Sequence, residues 1–191
     1  MDTGGKRPLQ RLQVLPGGRD PAARIGPVLV VAGGKNDTPP FPVDAVVLEE
    51  DRFLVLSAEP VFVEPLEDPM RLMTRLIETR PETPGHVLVR GRGPYRMLAI
   101  VHDVDQEPSW REEWVAEALE RVLRKAQSLG IEALSLEMLG CMHGRLAPRR
   151  FSALFREAVR CAGPGSLKRV WLRVPRKVTP SAVAGLLREG S

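Results

Sequence analysis

The sequence predicts an α/β domain, a three-layer α/β/α sandwich on a mixed, largely parallel sheet. Three observations carry this. From residue 97 onward, apolar strand segments alternate with amphipathic helical segments three times, the pattern of parallel strands joined by crossover helices. Runs such as Val28-Leu29-Val30-Val31-Ala32 are apolar throughout, as in strands buried on both faces. In the first half the strand candidates are too closely spaced for helical crossovers, so some pairing there is antiparallel and the sheet is mixed.

A chain of 191 residues suits one domain and can bury about 70% of its unfolded surface. Hydrophobic content of 43% and charged content of 27% are those of a globular protein. No apolar run approaches the roughly 20 residues that span a bilayer, so no membrane partner is expected. The N-terminal residues lack the apolar core of a secretory signal, and a cytoplasmic location is the expectation. Cys141 and Cys161 form no Cys-x-x-Cys pair, which gives a structural metal or redox motif no support.

Residues 1–27 are rich in Gly, Pro and Arg and read as a flexible basic arm, leaving 28–191 as the folded domain. After the first strand, Gly33-Gly34-Lys35-Asn36 is a break. Strands are expected at Ala45 to Leu48, Phe53 to Leu56 and Val61 to Val63, with Glu49-Glu50-Asp51-Arg52 as a hairpin turn between the first two. Asp68-Pro69 opens a helix that Pro81 ends. Strands at His86 to Arg90 and Met97 to Val101 flank a Gly91-Arg92-Gly93-Pro94 turn. Ser109 and Glu112 form a capping box for a helix to about Leu129, whose apolar stripe runs from Trp114 to Ala126 and which Gly130 stops. A buried strand around Leu134 to Met138 follows, then a helix from Pro148 to Ala162, a strand from Val170 to Val174, and a short helix from Thr179-Pro180 to Leu187.

The charge is unevenly distributed. Residues 1–27 carry a net +3, residues 28–144 a net −8, and residues 145–191 a net +9. A cationic C-terminal quarter on an acidic body suggests an anionic partner, with a solvated basic face as the plain alternative.

The stretch with the strongest chemical signal is Leu139-Gly140-Cys141-Met142-His143-Gly144-Arg145, between the buried strand and the helix at Pro148. A strand, a short glycine loop and a helix start put backbone N–H groups and the positive end of a helix dipole at one spot, a natural seat for an anion. Arg145, Arg149 and Arg150 add positive charge. The plain alternative is a turn that needs two glycines for its backbone geometry, and Met142 obstructs close approach to the loop.

Five segments, Val43 to Val47, Gly85 to Val89, Leu98 to His102, the helix ending near Gly130 and Leu139 to Gly144, together resemble the macro domain, the module known for binding ADP-ribose and related metabolites and also seen as the N-terminal fold of leucine aminopeptidases. Val43-Asp44-Ala45-Val46-Val47 resembles the family strand written "vDaIV". Gly85-His86-Val87-Leu88-Val89 and Leu98-Ala99-Ile100-Val101-His102 resemble its next two strands. The Leu- and Ala-rich helix ending near Gly130 has the family's position, and Leu139 to Gly144 sits where the family writes "lGtGhG". The likeness covers about residues 28–187. It implies a macro-like fold and a phosphorylated, ADP-ribose-like ligand bound by Gly140, Cys141, Met142, His143, Gly144 and Arg145. Departures are equally specific. Leu48, Glu49, Glu50 and Asp51 replace the family's Asn-Ala-Ala-Asn, and Leu56-Ser57-Ala58-Glu59-Pro60 replaces a glycine-rich phosphate loop.

Other chemistry is thinly supported. His102, Asp103 and Asp105, with His143 and His86, could assemble a metal or acid/base site, though no ligand spacing is present. Cys141, ahead of a helix start and near His143, is the one candidate nucleophile, against the plain reading of a small packed residue. Lys168, Arg169, Arg173, Arg176 and Lys177 around Trp171 could contact nucleic acid, but only nine aromatics are available for stacking. The expectation is a binding module without catalysis or cofactor. The alternatives are an interaction or assembly protein, self-association included, that kept the fold and lost the pocket, and a nucleic-acid binder.

Overall fold

The computed structural model describes residues 21–56 and 81–189. Seven strands form one sheet: β1 (Ala22–Ile25), β2 (Val28–Gly34), β3 (Ala45–Asp51), β4 (Val87–Arg90), β5 (Tyr95–His102), β6 (Ala133–Glu137) and β7 (Arg169–Val174). Their spatial order is β1-β2-β7-β6-β3-β5-β4. The five inner strands run parallel, while β1 on β2 and β4 on β5 pair antiparallel. This is the mixed, largely parallel α/β sheet expected.

Among the described residues three helices accompany it: α1 (Glu112–Ser128), α2 (Pro148–Ala162) and α3 (Pro180–Arg188). The crossovers β5-α1-β6 and β6-α2-β7 move along the sheet in one sense, so their shared right-handedness puts both helices on one face. There α1 packs against α2, and α2 against α3, which covers β1 and β2. Val115, Ala118, Leu119, Val122 and Ala126 of α1 join Phe151 and Phe155 of α2 over Leu134, Leu136, Val170 and Leu172. Every residue of β6 and the last six of β5 are buried, so the sheet centre is covered on both faces.

Several expectations change. Ala22–Ile25, within the stretch read as an arm, is a strand, because residues 22–25 pair residue for residue with Val28–Val31 across Gly26 at φ +56°. Glu49-Glu50-Asp51 is no hairpin turn; it is the buried end of β3. Phe53 to Leu56 is a turn rather than a strand. The Asp51 carboxylate accepts the N–H groups of Phe53, Val55 and Leu56 at 2.7 to 3.0 Å and curls the chain. The Ser109 capping box does not form. The Ser109 carbonyl accepts the Asp103 N–H and Trp110 bridges to His102, holding both residues extended, and α1 starts at Glu112 without a side-chain cap. The strand read at Val61 to Val63 and most of the helix read from Asp68 fall outside the described residues, as do residues 1–20. No helix among the described residues is long and apolar enough to cross a membrane.

Candidate functional site

Because β2, β7, β6, β3 and β5 are parallel, their carboxyl ends share one edge of the sheet, where α/β folds gather their sites. That edge brings together Gly34, Val174, Glu137, Asp51 and His102 with the loop that follows β6. The loop forms as expected up to Pro148, the first residue of α2. Gly140 has φ +75°, and a Cβ there would lie 3.0 Å from the Val115 side chain. Gly144 has ordinary backbone torsion, but a Cβ would stand 2.4 Å from the Gly140 carbonyl oxygen. Conformation therefore demands the first glycine and close packing both of them.

The loop's N–H groups converge on an anion, and that anion is the protein's own. The fully buried Glu49 carboxylate accepts the N–H of Gly140 at 2.8 Å, of His143 at 3.1 Å and, more weakly, of Met142 at 3.4 Å. His102 Nε2 hydrogen-bonds to the same carboxylate. His143 Nδ1 lies 3.6 Å from it, with the two imidazoles edge to face at 6.3 Å. Burial alone would raise the Glu49 carboxyl, but hydrogen bonds from His102 and His143 outweigh it and hold its pKa at about 2.

Glu49 is anchored from behind as well. Its N–H donates to Glu137 Oε2 at 2.8 Å, and Glu137 accepts from Arg173 at 2.7 Å. Beside it, Asp103 accepts from Arg52 Nη1 at 2.9 Å and from Gln106 Nε2 at 2.6 Å. The acidic cluster along this edge thus fixes loops and strand ends.

The sequence-derived site residues meet different fates. Gly140, Cys141, Met142, His143, Gly144 and Arg145 do form one loop, but the residue set against its amides is Glu49, not Met142. The Met142 side chain is only half-buried. Of the arginines, Arg150 makes a two-pronged pair with Glu112, Arg149 lies 3.9 Å from Glu189, and Arg145 is exposed. Cys141 is a poor nucleophile, since burial and then the Glu49 charge push its thiol to about 12. His102 and His143 meet at Glu49, while His86 is exposed beside α1. No group of three metal-ligating side chains occurs among the described residues. The basic C-terminal quarter is largely engaged. Lys168 pairs with Glu132, Arg169 stacks on Phe41, Arg173 holds Glu137, and Arg156 and Arg188 donate to the Leu186 and Ala22 carbonyls.

Glu49 is not among the site residues expected from the sequence. The signal available was three acids at the end of an apolar strand, where the macro pattern has Asn-Ala-Ala-Asn.

No family model matches the sequence, and no curated protein matches it. Solved structures do. The Oceanobacillus iheyensis macrodomain with ADP superposes with a TM-score of 0.58 at 13% identity, over 87% of this chain and 93% of that one. The macrodomain of Thermus aquaticus DarG gives 0.53 at 21% identity, over 76% and 97%. The Trypanosoma brucei macrodomain in complex with ADP-ribose gives 0.53 at 10% identity, over 83% and 67%. The fold is the macrodomain fold.

Proposed function

We propose that this chain is a macro-type interaction module whose anion loop holds an internal carboxylate, and which therefore does not seat a phosphate at Gly140–Gly144. One observation carries the reading: three loop N–H groups that could receive a phosphate point at Glu49. A phosphate arriving there would have to displace a buried carboxylate held by three backbone N–H groups and the His102 imidazole, or share the space with it. Like charges in so poorly hydrated a position repel strongly, and each displaced bond leaves a buried group unpaired. Cys141, the one candidate nucleophile the sequence offers, is disfavoured because burial and then the Glu49 charge raise its thiol to about 12.

A second reading is an ADP-ribose-like ligand bound along the same edge. The superposition on macrodomains solved with ADP and with ADP-ribose favours it. Isothermal titration with ADP-ribose at moderate salt, with backbone amide NMR alongside, separates the two. No ligand-dependent shift of the Gly140, Met142 and His143 backbone amide resonances is expected at millimolar ADP-ribose; a saturable shift of those amides, tracking the heat, would overturn the first reading in favour of the second.

A further inference from the structure

Away from the loop, the flank between α1 and the edge strand β4 carries a cleft of about 380 Å³. Among the described residues, His86 and Val87, at the start of β4, line one side. Arg121, Arg124 and Lys125, from successive turns of α1, line the other. At about 1.5 Å per residue, Lys125 stands roughly 15 Å along the helix from Val115, the residue under Gly140, so this is a separate place.

Positions 121, 124 and 125 stand at i, i+3 and i+4 and share one helix face, so three basic side chains line one volume. Their acidic neighbours hold them loosely. Arg121 Nη2 lies 3.4 Å from Glu117, while its Nη1 is turned away from solvent with no hydrogen-bond partner. Arg124 Nη2 lies 3.5 Å from Glu120, with both side chains largely in solvent. These are long i,i+4 pairs of the kind worth a few tenths of a kcal/mol, readily exchanged for a better acceptor.

We propose that this cleft binds a phosphate-bearing anion. One carboxylate would satisfy a single guanidinium fork. Two forks and an ammonium fit the several oxygens and multiple charge of a phosphate or diphosphate. The volume falls within the roughly 300–1,000 Å³ of ligand sites, which leaves room for a group attached to the phosphate. The shared chemistry is the phosphate, from a free phosphorylated metabolite or from a nucleic-acid backbone. The inference is independent of what occupies the Gly140–Gly144 loop.

Titration with inorganic pyrophosphate and with a short single-stranded DNA, each at low salt, tests it. Binding of pyrophosphate with roughly tenfold loss in an Arg121→Gln/Lys125→Gln variant is the expected result. A free metabolite as the source predicts that DNA binds no better than pyrophosphate. A backbone source predicts tighter DNA binding, displaced by pyrophosphate, with a log–log salt slope of about −2 for three contacts. Replacing the competing acids, Glu117→Gln/Glu120→Gln, should tighten binding, a gain that misfolding cannot imitate. Absence of binding by both probes, or equal binding by the Arg121/Lys125 variant, would overturn the proposal.

Discussion

Glu49 and Gly140 stand 91 residues apart in the chain, and the carboxylate of the first accepts the N–H of the second at 2.8 Å. That bond joins β3 to the loop after β6 and converts an anion-binding geometry into an internal clasp. The same carboxylate holds His143 N–H and the His102 imidazole, so the clasp ties three strand ends together.

Glu49→Gln keeps the shape and removes the charge. An amide offers one acceptor oxygen where the carboxylate offers two, and it turns an NH2 group toward donors. We expect a loss of about 3 kcal/mol at neutral pH, within the range for breaking a buried charged network, read from urea unfolding. A change within experimental error would show that the clasp contributes nothing.

The pH profile carries the same signature. The Glu49 pKa falls from a usual 4.5 to about 2 on folding, so the unfolded chain takes up this proton first. Its contribution, about 3 kcal/mol by linkage, is present above pH 4.5 and is lost as pH falls toward 2. The His143 pKa shifts upward, chiefly through its bond to Glu49. Its contribution is full below the ordinary imidazole range and fades as pH rises through the raised value. Thermal melts across pH should show an acid-side decline that shrinks in Glu49→Gln.

Two glycines in the loop should resist substitution for different reasons. Gly144→Ala places a Cβ against a backbone oxygen that cannot swing aside, and a loss of about 2–3 kcal/mol is expected. Gly140→Ala combines left-handed backbone with contact at Val115, for about 1–3 kcal/mol. Gly163→Ala, at φ +66° with nothing near its Cβ, isolates the backbone penalty and should be milder. Melting temperatures of the three variants give the order.

Cys141 should be nearly inert. With its thiol at about 12, the thiolate fraction near pH 8 is roughly a thousandfold below that of an ordinary cysteine. Iodoacetamide labelling followed by peptide mass spectrometry should modify the exposed Cys161 first. The Glu49→Gln variant, lacking the charge that helps raise the thiol, should label Cys141 faster than the unmodified chain.

Much of the fold is legible from local pattern. Pro148 marks the first residue of α2, Gly130 follows the end of α1, and the apolar runs at Val28, Met97 and Val170 all lie in strands. The misreadings cluster where tertiary bonds override local preference. Phe53 to Leu56 has the residues of a strand but curls around the Asp51 carboxylate. Ser109 has the spacing of a cap, yet its segment is drawn into a bridge with the end of β5.

By itself the sequence determined the α/β class, the order of most elements and the existence of a glycine loop before a helix. Those features rest on periodicity and on single-residue torsional demands, which act over a few neighbours. Only the tertiary structure decided what the loop faces. Setting β3 beside β6 in the sheet brings a carboxylate from residue 49 under amides from residues 140 to 143, and no local pattern encodes that pairing. The same long-range packing lays α1 against the edge strand, making a cleft of cations that in the sequence look like the wet side of a helix.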